Sequence, residues 1–402
     1  MTTMAIDNKD KKVLNVPHLR FPEFSGEWKK CKLGDLCNVL MCKRILVSQT
    51  NTEDGVPFYK IGTIGSTPDA YISKELFDDY KVKYNYPRKG EVMITCAGTV
   101  GKCVVYDGED AYFQDSNIVW IDNPTQYISN GFLFHLLSKV DWRKLNSTTI
   151  IRIYNDDLRN LKMSYPRKEE QQKISHLLSL LDERIATQNK IIYKLKSLIR
   201  GIMVELQKRG LSNGTWKKVL LSNVLTERNE LNKSLYPVYS VSVIQGIVNQ
   251  MEYLGRSFAA SDTSKYHVVH YGDLVYTKSP TGSFPYGIIK QSYNQNEVAV
   301  SPLYGVYEPK TFSTGVFLHE YFKSELNTLN YLHPLVQKGA KNTINIANQR
   351  FLESYVAIPS NANELLAISK LLCSLNTKLE FLQNILKQSQ GQKQYLLRQM
   401  FI

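Results

Sequence analysis

A similar opening recurs after nearly half the chain: Glu27-Trp28-Lys29-Lys30-Cys31-Lys32-Leu33-Gly34-Asp35-Leu36, then Thr215-Trp216-Lys217-Lys218-Val219-Leu220-Leu221-Ser222-Asn223-Val224. Self-similarity at this spacing means one structural unit built twice, which rules out most single-core folds. Further on, Lys89-Gly90-Glu91-Val92-Met93 parallels Tyr271-Gly272-Asp273-Leu274-Val275, in each case a turn glycine and an acid leading into a strand-like stretch. The copies diverge in their middles and converge at their ends. There Ile151-Arg152-Ile153 matches Ile344-Asn345-Ile346, Leu158 matches Phe351, and Pro166 matches Pro359. The length of 402 residues agrees, since single cores seldom grow past ~250 residues.

A long helix follows each proline. In the first, Leu178, Ile185, Ile192 and Ile199 recur every seventh residue, with Leu181, Leu195 and Ile202 on the second seam. In the second, Leu372, Leu379 and Leu386 alternate with Leu375, Leu382 and Leu396. Each helix is too apolar on this face to stand alone, and each spans ~60 Å or a little less at 1.5 Å per residue. Their natural partners are each other, and the short glycine-containing link at Gly210 to Gly214 predicts an antiparallel return. Polar Gln188, Ser389 and Lys393 within the seams have two readings: they fix register, or they occupy loosely packed positions.

Between the helices lie short strand-like runs: Val56 to Ile61, Glu91 to Cys96, Lys102 to Tyr106 and Asn117 to Ile121 in the first copy, and Tyr236 to Val243, Asp273 to Thr277 and Glu297 to Tyr307 in the second. Helical patterning is limited, as in Gly131 to Lys139 and Thr314 to Leu326. The expected fold is α+β: two strand-rich domains separated by two long antiparallel coiled-coil helices, with a pseudo-twofold internal repeat. The expected boundaries are a flexible tail at 1–16, domains at 17–166 and 210–360, and helices at 167–209 and 361–402.

The 50 Lys+Arg against 37 Asp+Glu leave a formal charge of +13, a field that favours polyanions, with nucleic acid first among them. No apolar run approaches the ~20 residues of a membrane span and no signal-peptide pattern opens the chain, so a cytoplasmic, membrane-free protein is expected. Six cysteines stand without a CxxC pair or a histidine at zinc-ligand spacing, and are read as reduced thiols. No Asn/Asp-Pro-Pro-aromatic tetrapeptide marks an amino-methyltransferase, and Gly98-Thr99-Val100-Gly101-Lys102-Cys103 lacks the spacer and hydroxyl of a phosphate loop. It reads as a turn between strands, with Lys102 free to touch a phosphate. Asp78-Asp79 and Asp156-Asp157 read as solvated faces or helix caps in place of nuclease carboxylates, and His267 with His270 as surface or base-contacting residues in place of a metal pair.

DNA-reading chemistry remains: Arg and Lys for phosphate and guanine, Asn and Gln for adenine, Ser and Thr for phosphate. Candidates in the first copy are Lys43, Arg44, Lys60, Thr63, Ser66, Thr67, Lys102, Ser147, Thr148, Thr149 and Arg152. Those in the second are Lys278, Ser279, Thr281, Ser283, Lys341, Asn342, Thr343 and Asn345. Two other classes are the alternatives: a self-contained methyltransferase or nuclease, and a coiled-coil interaction protein whose basic surface serves RNA or another partner.

With those motifs in order, the chain resembles the specificity subunits of Type I restriction-modification systems, the HsdS family, over nearly its whole length. The resemblance rests on Val16-Pro17-His18-Leu19-Arg20-Phe21-Pro22-Glu23-Phe24, Trp28-Lys29-Lys30, Leu33-Gly34-Asp35-Leu36, Val56-Pro57-Phe58-Tyr59-Lys60-Ile61 and Lys89-Gly90-Glu91-Val92. It continues in Tyr165-Pro166, Glu169-Glu170-Gln171-Gln172-Lys173-Ile174 and Leu396-Leu397-Arg398-Gln399-Met400-Phe401. The second copy departs from the usual helix start, having Asn361-Ala362-Asn363-Glu364-Leu365-Leu366. The resemblance implies two target recognition domains that each read half of a bipartite, asymmetric DNA site, and helices that act as spacer and dock partners. It implies two methylation (HsdM-type) subunits carrying S-adenosylmethionine and two restriction/translocase (HsdR-type) subunits using ATP and magnesium. The chain itself is then expected to bind no cofactor and no metal and to catalyse nothing alone.

Overall fold

The computed structural model describes residues 14–145, 152–256, 258–338 and 344–402. The chain divides into two compact units, one of residues up to Gln188 with Ile385–Ile402, the other of Asn189–Asn384. Both long helices, Lys168–Ser212 and Ala362–Gln399, therefore contribute to each unit. The fold class is α+β, as expected.

The first unit is built on a four-stranded antiparallel sheet in the order Asn38–Leu40, Ile118–Asp122, Val92–Thr95, Cys103–Val105. Helix Asn130–Lys139 packs on it, burying Phe132, Leu133, Leu136 and Leu137, with Ser129 accepting from the Phe132 amide as its cap. The second unit repeats the order with Leu225–Glu227, Gly305–Pro309, Leu274–Tyr276, Ile289–Gln291, and helix Phe312–Tyr321, capped by Thr311, packs on that sheet. Gly90 and Gly272 stand two residues before equivalent strands with φ of 88° and 93°, a backbone region glycine enters at no steric cost. In each copy the following acid closes the same turn: Glu91 accepts from the Arg88 amide and Asp273 from the His270 amide, at 2.8 and 2.9 Å.

Each unit is tied to its helix by an antiparallel strand pair, Lys29–Lys32 with Lys162–Tyr165 and Trp216–Leu220 with Tyr355–Pro359. The tryptophan at each opening is the junction. Trp28 Nε1 donates to Glu170 at 3.3 Å, and Trp216 Nε1 donates to Glu364 at 2.7 Å. Glu170 and Glu364 are each the third residue of their helix, so the altered second motif keeps the contact that matters. Gln171, fully buried, binds the Ser129 amide and the Tyr127 and Pro166 carbonyls; its counterpart Leu365 packs into the apolar core instead. Gly210 lies against the Trp216 ring so closely that a Cβ would fall 2.3 Å from it.

In the first unit Leu178 and Leu181 share a core with Leu396, Leu397 and Met400. Leu19 donates to the Gln399 carbonyl while neighbouring Arg20 binds Glu170, and farther along Asp182 meets Lys393, so the two helix segments run antiparallel. Lys393 thus has an ion-pair partner inside the seam, and Ser389 is buried there. In the second unit Leu195, Ile199 and Met203 share a core with Leu365, Ile368 and Leu372. Of the expected seam, Leu178, Leu181, Ile192, Leu195, Ile199, Leu372 and Leu396 are buried, whereas Ile185, Leu375, Leu379, Leu382 and Leu386 are half-buried. Ile202 is half-buried as well, and neighbouring Met203 is buried. A helix of 3.6 residues per turn drifts ~20° per heptad against a strict 3.5 repeat, so the buried stripe moves on by one residue.

Two expectations are corrected. Glu297 to Tyr307 is two strands, Val298–Val300 and Gly305–Pro309, because Ser301-Pro302 opens a turn that the Tyr304 amide closes on the Ser301 carbonyl. Thr314 to Leu326 is likewise broken, since Ser324 caps a separate helix, Glu325–Leu332. At the N-terminus, residues 1–13 of the expected tail lie outside the described residues. Asn15 is buried, exchanging backbone and side-chain hydrogen bonds with Trp28.

The copies differ in what they add to this frame. The first inserts Val56–Tyr59 between Tyr71–Ile72 and Tyr112–Phe113, with helix Lys74–Lys83, around its own core of Phe58, Ile72, Phe77 and Trp120. The second adds a hairpin of Tyr239–Ser242 with Gly246–Asn249 and a pair of His267–Val269 with Val298–Val300.

His135, buried on helix Asn130–Lys139, gives a pH prediction. Desolvation pushes its pKa down to about 4, and the Lys393 charge adds to this against the opposing effect of Asp182. A depressed folded-state pKa means that the unfolded chain binds the extra proton first, so stability is expected to fall as pH drops from about 6.5 toward 4. Urea unfolding of His135→Phe, followed across that window, should lose part of this acid sensitivity; an unchanged slope would assign it to other groups.

Candidate nucleic-acid interface

Three of the sequence-chosen cations meet in one place. Arg44, Lys60 and Arg152 line a cleft of about 410 Å³ in the first unit, together with Gln114, Asp115 and Asn117. Ile45, Phe58 and Ala70 add apolar lining, and Gln114 to Asn117 belong to the turn leading to strand Ile118–Asp122. Asp115 accepts from Arg44 Nε at 2.9 Å, and the Ser116 carbonyl accepts from Arg152 at 3.0 Å. Ser116 holds a left-handed backbone, φ 59°, a conformation that costs a non-glycine residue energy and often sits at a site of function. Lys60 pairs with Asp69 at 3.0 Å on the rim.

Other candidates have structural work. Lys102 donates from its ammonium to the Ile64 carbonyl and so helps hold the 60–66 loop. Thr63 serves the same loop, accepting from the Lys60 amide at 3.0 Å. Ser66 and Thr67 are exposed on it, and Lys43 lies over the Tyr84 ring at 5.3 Å. Residues Gly98 to Lys102 do form the turn between two strands.

In the second unit Lys278, Ser279, Thr281 and Ser283 occupy one turn after strand Leu274–Tyr276. Lys278 is half-buried, which lowers its pKa against the opposing charge of Glu227. Thr281 donates to the Ser279 carbonyl and Ser283 to Glu325, so these hydroxyls shape the turn. Ser147, Thr148 and Thr149, and Lys341, Asn342 and Thr343, lie outside the described residues. Asn345 pairs with Gln337 in a short antiparallel ladder. Sequence reading missed Gln114, Asp115 and Asn117, whose only local signal was the polar run preceding a strand.

The acidic pairs and the two histidines have structural partners. Asp78 and Asp79 pair with Lys74 and Lys83, and Asp157 accepts from the Tyr154 amide at a helix start. His267 contacts the Tyr304 carbonyl and His270 binds Glu230 at 2.6 Å. Among the described residues no group of three or more His, Cys, Asp or Glu could hold a metal, and no helix is long and apolar enough to cross a membrane. The cysteines are free thiols, and burial pushes Cys37, Cys42, Cys96 and Cys103 up to about 12.

A frame built twice, with unlike additions and a cation-lined cleft in the first unit, defines a duplicated α+β fold. Residues 25–197 match the family model of the Type I restriction modification DNA specificity domain, the family that the chain's motifs resemble. Over 173 residues it is 47% identical to a putative type I restriction enzyme specificity subunit of Haemophilus influenzae, covering 43% of this chain and 42% of that one. Over 202 residues it is 24% identical to the putative MjaX specificity subunit of Methanocaldococcus jannaschii, covering 47% of each. The matched segments thus span under half the length of these relatives. The S subunit of a Type I system from M. genitalium shares the fold, with a TM-score of 0.66 and 15% identity over 96% of this chain and 99% of that one.

Proposed function

We propose that this chain is the sequence-reading subunit of a Type I restriction-modification complex, each recognition domain reading one half of a bipartite, asymmetric DNA site. The observation that carries the reading is the duplication: the same four-strand order and packed helix in both units, with different structures added to each. One frame with two sets of loops suits two unlike half-sites. The +13 charge supplies the sequence-independent attraction to DNA.

In this reading the two long helices set the spacing of the half-sites and dock two methylation subunits, and restriction/translocase subunits complete the assembly in the cytoplasm. Catalysis and its cofactors, S-adenosylmethionine and ATP with magnesium, belong to those partners, and this chain's residues choose the site. The test is genome-wide mapping of N6-methyladenine in cells expressing the chain with its methylation subunit, against cells lacking only this chain. A split motif with unlike halves and a fixed gap is the expected result. Identical methylomes, with both proteins folded, would overturn the proposal.

A further inference from the structure

We propose that Arg44, held by Asp115, reads a guanine in the half-site taken by the first unit. The inference rests on the DNA-reading function above and assigns one of its contacts. Arg44 is 67% exposed while Asp115 is 16% exposed, so a fixed carboxylate holds a guanidinium that reaches outward. Asp115 takes the Nε hydrogen at 2.9 Å. That leaves the two terminal nitrogens, the pair whose fork geometry matches O6 and N7 of guanine.

The same ion pair argues against a phosphate partner. A carboxylate 2.9 Å from the guanidinium cancels much of its attraction for an anion and would itself repel a phosphate. The neutral edge of a base suffers no such repulsion. The cleft also suits a base, since its apolar lining of Ile45, Phe58 and Ala70 can take the flank of a base pair. Asp115 is the positioning residue, for it fixes the arginine's direction before DNA arrives.

The experiment selects random duplex DNA with the full chain in complex with its methylation subunit, comparing wild type, Arg44→Ala, Arg44→Lys and Asp115→Asn, and measures the salt dependence of binding to the selected site. Because Arg44 is exposed, its variants should fold, and circular dichroism checks this. For Arg44→Ala the expected result is loss of guanine preference at one position of one half-site, by roughly tenfold to a hundredfold, with the other half-site unchanged. Arg44→Lys should recover little of it, since an ammonium lacks the fork, and Asp115→Asn should weaken the preference partway. The salt slope should stay as in wild type. A slope reduced by about one unit with the motif intact would make Arg44 a phosphate contact and overturn the assignment. An unchanged motif and slope would overturn it as well. A wild-type complex that selects no motif would instead overturn the DNA-reading function itself, and the Arg44 assignment with it.

Discussion

Leu178→Asp is expected to unfold the first unit while sparing the second. Leu178 is fully buried and packs in the core that joins the long helices to Trp28, Phe132 and Phe401. Truncation of such a leucine alone costs about 2–5 kcal/mol, and an unpaired carboxylate in its place adds a desolvation penalty of comparable size. The sum rivals the ~5–15 kcal/mol by which folded domains exceed their unfolded chains. Hydrogen exchange should show protection lost across the described residues up to Gln188 and in Ile385–Ile402, and retained in Asn189–Asn384. Leu180→Asp, two positions along on the 48% exposed side of the same helix, should change stability by no more than ~0.5 kcal/mol. Equal effects from the two substitutions would mean that the buried stripe is misplaced.

The frame was readable in the sequence because its parts are local. A turn glycine followed by an acid, a tryptophan before a strand, and a leucine every seventh residue each declare themselves within a short window, and their order repeats. What the sequence obscured was of two kinds. Breaks within apolar runs, at Ser301-Pro302 and Ser324, were hidden because hydrophobic alternation continued across them, although the turn and cap residues were present. The cleft was hidden because it is non-local: Arg44 was chosen for its charge, but Asp115, its partner 71 positions away, carried no signal before the chain folded. Lys102 shows the same non-locality, since the Ile64 carbonyl that its ammonium meets lies 38 positions away.

The other large effect concerns the junction that the two copies share and treat unequally. Glu170 is 1% exposed and binds Arg20 through both carboxylate oxygens at 2.7 Å, in addition to Trp28. Glu364 is half-buried and receives the Trp216 indole. Removing Glu170 strands a guanidinium that is itself only 13% exposed, and breaking such a pair costs about 3–5 kcal/mol, most of it the penalty of an uncompensated buried charge. Removing Glu364 orphans one neutral donor, at about 1–3 kcal/mol. Glu170→Ala should therefore lower the urea midpoint of its unit more than Glu364→Ala lowers that of the other, and should expose the amides at the start of helix Lys168–Ser212 to exchange. Arg20→Ala combined with Glu170→Ala should cost less than the two single losses added together, because neither charge is then left alone. Additive losses would mean that Arg20 and Glu170 act separately, and the first copy would then hold its helix as the second does, through tryptophan and glutamate alone.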